Sequence, residues 1–345
     1  MVAGGRSGPP PRRGLGAIVA PAAVSLLLVW LLMRGLSWDR LARSVLAASP
    51  WPLALYALLA LAGIGLRALR FRMALPEPRP ALGRVLGATA VQNALGDLVP
   101  ARLASLGSYV WIMSRRFAVA GESAAATFAV SFVLDLLTLG PLLLLALAVR
   151  LDAATGLPLG WISVFAALLF AASLAAAWWL APLTRWVARL FLALARGREG
   201  GAWARVAAFL ERTAAVLAAS RRGGALARLF AVSLAIRLAK YAALYALTES
   251  LLAGAGIAGP HPDLWDLVIG VSATELVATL PIPALGQFGV WEGGMIGALV
   301  MMGFAREPAT LVAFGVHGIT TAFEYLVALA ALAVLLALPR RRKNP

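Results

Sequence analysis

Three stretches of the sequence carry no charged residue over lengths that are typical of membrane spans. They cover 15–33, 44–66 and 153–184. About 20 consecutive apolar residues cross the hydrocarbon core of a bilayer as an α-helix. Hydrophobic residues make up 61% of the chain and charged residues 13%, whereas soluble domains average about 45–50% and about 25%. The sequence therefore predicts an all-α, polytopic membrane helix bundle.

The apolar segments of this bundle are of two kinds. The predicted full spans are 15–35, 51–70, 124–149, 161–181, 226–251 and 309–338. Two further stretches, 84–114 and 267–304, are each broken near the middle by proline and glycine. Proline removes a backbone donor, and non-helical backbone at membrane depth survives only where protein or a wet cavity covers it. We therefore expect about six full spans and two broken helical hairpins.

The arginines predict the orientation of the chain. Segment 182–228 holds nine arginines and two glutamates, a net charge of +7, whereas 249–266 has no Lys or Arg. The positive-inside rule places the first in the cytoplasm and the second outside. Because 67–84 and Arg115–Arg116 are also basic, stretch 84–114 is predicted to be re-entrant. For 267–304, an outward-opening re-entrant hairpin and two full crossings both remain open.

These assignments give one membrane domain over 15–338. The predicted flanks are a cytoplasmic N-terminal tail, 1–14, and a basic cytoplasmic tail, 339–345. Segments 51–149 and 226–338 each read as span, broken hairpin and span, in opposite senses. Inverted repeats with interrupted helices point to a transport site near the bilayer midplane.

The basic insertion at 182–228 has two interpretations. Trp203, Val206, Leu210, Ala214 and Leu217 form one helical stripe, so the segment suits a helix on the anionic inner leaflet. Alternatively, it extends the adjacent spans and packs on itself.

Polar groups inside apolar segments are costly and usually face a partner or a wet cavity. The candidate substrate-binding residues are Arg67, Arg70, Asn93, Asp97, Arg102, Asp135, Arg237, Lys240, Glu275, Glu292 and Glu324.

The two breaks carry the most specific candidates. Asp97 and Arg102 flank Pro100, where helix termini and an arginine suit a phosphate, or the two side chains form an ion pair that fixes the hairpin. Glu292 follows the second break and either binds backbone or a cationic headgroup, or acts as a structural clamp. Glu275 is either a proton carrier or the partner of Arg237 or Lys240.

Two acids occupy matching places in the proposed repeats. Asp135 and Glu324 lie on the third helix of each unit, and pairing with the Arg67/Arg70 and Arg237/Lys240 clusters is the simplest expectation. His317 lies seven residues before Glu324, and it either joins a proton relay or is a satisfied structural group.

Several classes of function are excluded or disfavoured. The chain has no cysteine and two histidines, so thiol chemistry and cysteine metal sites are excluded. The sequence has no recognisable hydrolase triad, zinc motif or P-loop. The net charge of +16 is scattered between spans, which suits loops facing anionic lipid better than nucleic acid. We expect no cofactor and no enzymatic activity.

Four motifs occur in a characteristic order. They are Arg67-Ala-Leu-Arg70-Phe71-Arg72, Asn93 through Pro100-Ala101-Arg102-Leu103, Val133-Leu134-Asp135-Leu136-Leu137, and Leu280-Pro281-Ile282 through Gly289-Val290-Trp291-Glu292. Together they resemble the lysylphosphatidylglycerol synthase/flippase transmembrane-domain family over about 15–338. The resemblance implies a bacterial inner-membrane protein that moves a polar lipid between leaflets. The family's soluble synthase domain has no counterpart in this sequence, so synthase activity is not implied.

The sequence departs from the family pattern at two places. It has Ala104-Ser105-Leu106-Gly107 where relatives have a Gly-Glu pair and another arginine, and Ser131-Phe132 where relatives tend to have Glu-Arg. Both changes remove charges, so a lipid other than the aminoacylated one is expected.

The leading hypothesis is translocation of a polar lipid, either an anionic or zwitterionic phospholipid or a glycolipid. One alternative is a membrane-embedded transferase, or an accessory factor, in the synthesis of lipids or lipid-linked sugars. The other is a membrane scaffold whose 182–228 segment recruits a partner. A homo-oligomer or a separate lipid-modifying enzyme is the expected protein partner.

Overall fold

The computed structural model describes residues 16–34, 36–98, 103–150, 159–195, 201–219, 224–257, 261–278, 282 and 284–337. Its helices are α1 (Gly16–Leu32), α2 (Trp38–Leu46), α3 (Pro50–Ala74), α4 (Leu82–Leu98), α5 (Leu103–Phe117), α6 (Gly121–Arg150), α7 (Leu159–Leu194), α8 (Ala202–Ala219), α9 (Ala225–Ala255), α10 (Leu264–Val277), α11 (Val290–Met301) and α12 (Arg306–Ala337), with a 3-10 turn at Leu285–Gln287. The described residues contain no strand, which confirms the all-α class.

Four described helices, α3, α6, α9 and α12, are long and apolar enough to cross a membrane. They coincide with four of the predicted spans. Of the other two, 15–35 coincides with α1, in which Pro21–Leu32 is a shorter apolar helix, and 161–181 lies within α7. The chain is a multi-pass membrane protein.

Both broken stretches form helical hairpins. Hairpin 1 consists of α4 and α5: Gln92 Nε2 donates to Ser105 Oγ at 2.8 Å near the link, and the Arg84 guanidinium lies 5.8 Å from the Phe117 ring centroid at the open end. Hairpin 2 consists of α10, the 3-10 turn and α11. The arms have 12–17 residues, fewer than the about 20 that a full crossing needs. Their re-entrant placement in a bilayer stays a prediction.

The predicted repeats share one packing pattern. Unit 1 (α3–α6) and unit 2 (α9–α12) meet along α3 and α9, and α4 packs on α12 as α10 packs on α6. Contacts between consecutive helices recur in both units. Ser25 of α1 holds the tip of hairpin 2, because its Oγ accepts a 2.7 Å hydrogen bond from Leu285 N, and this 3-10 turn contacts α4 of unit 1. The tip of hairpin 2 therefore approaches the interface between the units.

The described parts of the predicted insertion at 182–228 belong to helices that pack on their neighbours. Helix α7 runs past 182 to Leu194, and α8 packs against α7 and α6. The buried face of α8 includes Ala207, Ala214 and Leu217, whereas Trp203, at the start of the predicted stripe, is exposed. This packing favours the interpretation in which the segment extends the adjacent span.

Candidate functional site

A cavity of about 270 Å³ lies between the two units. On α3, α6, α9 and α12 the lining residues fall within 56–71, 128–135, 236–244 and 317–324, near the middle of each long helix. Apolar clusters occupy the helix segments on either side. The cavity is therefore placed at half height in the bundle, where a transport site is expected.

Most of the predicted site residues meet at this cavity. Its lining includes Arg67, Arg70, Asn93, Asp135, Arg237, Lys240, Glu275 and Glu324. These residues come from both units and from hairpin tips that are far apart in sequence. The substrate-binding role of this set stays a prediction.

Arg70 is held in a fixed geometry by two neighbouring helices. Its Nη1 donates to Asp135 Oδ1 at 2.6 Å and its Nη2 to Asp135 Oδ2 at 3.3 Å. Nη1 also donates to Ser233 Oγ at 2.9 Å. The Arg70 side chain is 2% exposed, whereas that of Asp135 is 31% exposed. A two-point pair of this kind is geometrically specific, and it fixes the arginine beside the cavity.

A second cluster joins α9 to α10 and α6. Glu275 forms ion pairs with Arg237 and with Lys240, the latter at 2.6 Å between Oε1 and Nζ. Arg237 Nη2 also donates to the backbone oxygen of Asp135 at 2.6 Å. The sequence left two roles open for Glu275, a proton carrier or a partner of Arg237 or Lys240. In the structure Glu275 pairs with both cations.

Part of the lining has unused hydrogen-bonding capacity. Four buried polar atoms have no partner among the described residues, namely Arg70 Nε, Asn93 Nδ2, Ser131 Oγ and Gln92 Oε1, and all four residues line the cavity. Arg67 forms no ion pair with any residue that the structure describes, although its charge acts on Asp135. Because buried polar atoms normally have partners, this concentration of exceptions suits a polar ligand.

Glu292 and His317 form a separate pair at the edge of the cavity. Glu292 is fully buried; its Oε2 accepts from Gly289 N at 2.7 Å, and its Oε1 lies 2.7 Å from His317 Nδ1. The sequence placed His317 on one helical face with Glu324, but its close carboxylate neighbour is Glu292 on α11. The His317 ring lines the cavity and stacks on Phe288 and on Trp291, with centroids 4.5 and 5.0 Å apart.

Two predicted residues lie outside this description. The side chain of Asp97 and the whole of Arg102 are not among the described residues, so neither the phosphate role nor the ion pair predicted for them is tested.

Uncharged polar residues are the part of the lining that sequence reasoning missed. Gln92, Ser131 and Gln287 face the cavity, yet they lack the charge that drew attention to their neighbours. For Ser131 a helical projection was the available signal, because this residue lies one turn before Asp135.

Polar contacts also join the units at both ends of the bundle. Arg150, the last residue of α6, pairs with Asp263 at 2.7 Å and with Asp266, at the start of α10. Burial raises the pKa of the Asp266 carboxyl, although hydrogen bonds from Asp263 and Arg150 oppose the shift. Elsewhere, Arg116 Nη1 of α5 donates to the Leu335 backbone oxygen of α12 at 2.9 Å.

One family model matches most of the chain. The model, described as the lysylphosphatidylglycerol synthase TM region, covers residues 18–328 and includes every residue that lines the cavity. No curated protein sequence is found to match the chain.

Proposed function

Because the chain belongs to the family of lysylphosphatidylglycerol synthase TM regions, we propose that it translocates a phosphate-bearing lipid between leaflets without changing it chemically. The observation that carries this proposal is the charged cavity at the middle of the four long helices. Such a cavity offers a polar headgroup contacts at the depth where hydrocarbon offers none.

Several donors in the cavity lining suit a phosphate. Among the described residues, Arg67 has no ion-pair partner, and Arg70 Nε, Asn93 Nδ2 and Ser131 Oγ in the same lining have no hydrogen-bond partner. Arginine forks bind phosphate oxygens well. The lining carries four cations against the carboxylates Asp135, Glu275 and Glu324, so an anionic headgroup is favoured, and a zwitterionic one has carboxylates for its cationic end.

The contacts between the two units suggest how access to the cavity could alternate between the two sides of the membrane. Arg150 with Asp263 and Asp266 joins them at one end, and Arg116 with the Leu335 carbonyl joins them at another. Opening one junction while the other stays closed would expose the cavity to one side at a time, as in other inverted-repeat transporters. We place the basic loops and both termini in the cytoplasm, in a bacterial inner membrane.

Leaflet exchange in liposomes tests this proposal. Purified protein is reconstituted with fluorescent phosphatidylglycerol, phosphatidylethanolamine or glucosyldiacylglycerol, which has a polar headgroup without phosphate, and dithionite quenching reports exchange. We expect exchange of the two phospholipids at rates well above those for glucosyldiacylglycerol. Unchanged lipid recovered by mass spectrometry would support translocation, whereas a new lipid product would support a transferase.

Arg67→Gln is the sharpest variant, because it breaks no ion pair among the described residues. Losing a charge-assisted hydrogen bond costs about 1.5–3 kcal/mol, so phospholipid exchange should fall about 10- to 100-fold. Arg115→Gln, at an exposed arginine of α5, is the charge-matched control and should exchange lipids at the wild-type rate. Equal exchange of all three lipids, or an unaffected Arg67→Gln, would overturn the proposal.

A further inference from the structure

The Glu292–His317 pair takes no part in the phosphate contacts described above. Both carboxylate oxygens of Glu292 are engaged, by Gly289 N and by His317 Nδ1. The other ring nitrogen of His317, Nε2, has no partner among the described residues, and the ring borders the cavity. We propose that this pair binds a proton whose uptake accompanies the entry of an anionic headgroup, so that lipid translocation is proton-coupled. This inference rests on the proposed function.

The geometry provides for one exchangeable proton. The hydrogen bond between Nδ1 and Oε1 requires one hydrogen atom, and with that hydrogen the pair carries a charge of −1 when Nε2 is unprotonated. A proton taken from cavity water onto the Nε2 lone pair makes the pair neutral, and its release to water restores the charge. Histidine is the side chain that changes its charge near neutral pH.

The charges around the cavity oppose that proton until an anion arrives. The cations that share the cavity with His317 are Arg67 and Arg70 on α3 and Arg237 and Lys240 on α9. The carboxylates are Asp135 on α6, Glu275 on α10 and Glu324 on α12. The lining therefore has an excess of one positive charge, which an anionic headgroup cancels.

The size of this effect depends on the distance between the two charges. At an effective dielectric constant of about 20, a unit charge about 12 Å away changes proton affinity roughly tenfold. His317 lines the same cavity as Arg67 and Arg70, the arginines proposed to bind the anion. Because coupling between two bound species is reciprocal, the proton raises anion affinity by the same factor.

The pair also connects hairpin 2 to helix α12. Glu292 Oε2 holds the Gly289 amide at the start of α11, where Gly289 has φ +89°. His317 lies on α12. A change of charge at this pair therefore acts on the connection between hairpin 2 and the last long helix.

Histidine NMR tests the proton site without requiring transport. The chain has only two histidines, so ¹⁵N-histidine labelling with His261→Gln leaves the His317 signal alone. A pH series in detergent follows the protonation of this ring. We expect glycerophosphoglycerol, a phosphodiester whose charge is constant near neutral pH, to shift the His317 signals toward those of the protonated ring.

The outcomes separate the two proposals. A ring that keeps one protonation state throughout the pH series, with and without the phosphodiester, overturns the proton site. A phosphodiester that binds, measured by equilibrium dialysis, without changing the His317 signals overturns the coupling alone. Absence of both binding and lipid exchange overturns the proposed function and the coupling that rests on it.

Liposomes with an imposed pH gradient test the coupling directly. Wild-type protein should move phosphatidylglycerol several-fold faster from the leaflet on the acidic side. His317→Gln and Glu292→Gln should lose this dependence, whereas His261→Gln should keep it. A gradient response that survives in both cavity variants would overturn the inference.

Discussion

Replacing the members of the Arg70–Asp135 pair one at a time should separate stability from anion binding. The two side chains differ in burial, with Arg70 2% exposed and Asp135 31% exposed toward the cavity. Asp135→Asn leaves the buried guanidinium without a counter-charge, whereas Arg70→Gln leaves a carboxylate that still has cavity solvent and the charge of Arg67 nearby. The first variant should therefore be the less stable one.

The magnitudes follow from the contacts of each group. Breaking a buried ion pair so that a charge remains costs about 3–5 kcal/mol, which is the expectation for Asp135→Asn. Loss of the hydrogen bonds from Arg70 to a partly exposed acceptor costs about 1–3 kcal/mol. The double variant should be less destabilised than the sum of the single variants by about 1–3 kcal/mol, because the pair is direct and two-point.

The assay is reversible unfolding by SDS in mixed micelles, followed by the fluorescence of the 11 tryptophans. Exchange of phosphatidylglycerol is measured in parallel and normalised to folded protein. Arg70→Gln should reduce this exchange about tenfold or more, whereas Asp135→Asn, which adds positive charge to the cavity, should reduce it less. The order of the two variants in stability should thus be the reverse of their order in transport.

Two results would refute this reasoning. Equal or greater destabilisation by Arg70→Gln would mean that burial of the guanidinium does not control the energetics of the pair. Strict additivity in the double variant would mean that the two-point contact contributes no coupling.

Three further predictions concern the second ion-pair cluster, the hairpin 2 glycine and the orientation in the membrane. Glu275→Gln leaves two cations of α9 without their shared carboxylate and should lower stability by about 3–5 kcal/mol, measured by the same SDS titration; wild-type stability would contradict it. Gly289→Ala should impair assembly of hairpin 2, because its φ is +89° and an added Cβ would lie 2.3 Å from Leu28 Cβ; a monodisperse, fully stable variant in size-exclusion and thermal assays would contradict it. Since the natural chain has no cysteine, Ala208→Cys and His261→Cys should react with an impermeant maleimide from the cytoplasmic and the outer side respectively; labelling of both from one side would contradict the orientation.

Much of the fold could be predicted from the sequence because it depends on one-dimensional properties. Length and absence of charge predict the spans, since any helix in hydrocarbon must satisfy its own backbone. The four long helices α3, α6, α9 and α12 follow this rule. The Pro/Gly breaks likewise predict where α4 and α10 end, because proline cannot continue the backbone hydrogen bonding.

The boundary of the basic segment was less predictable. The predicted span ends at 181, where the basic segment begins, yet helix α7 continues to Leu194. Charge marks the side of the membrane, but it does not end a helix, so a charge pattern alone places such boundaries poorly.

Candidate residues of the site could be named from the sequence, but their partners could not. An ionisable side chain in an apolar segment is conspicuous in one dimension, which is why Arg67, Asp135 and Glu275 were found. Which cation meets which carboxylate depends on helix rotation and on contacts across units. The sequence put His317 with Glu324 on its own helix, whereas the packing of α11 against α12 brings it to Glu292.

The sequence by itself thus determined a helical membrane protein with two interrupted hairpins and costly charges at matching positions. Only the tertiary structure decided that those charges share one cavity at mid-height, with Arg70 bound to Asp135 and Glu275 bound to Arg237 and Lys240. The physical reason is that hydropathy acts on each segment separately, through its transfer from water to lipid. Ion pairs and cavities depend on distances between segments, which only helix packing fixes.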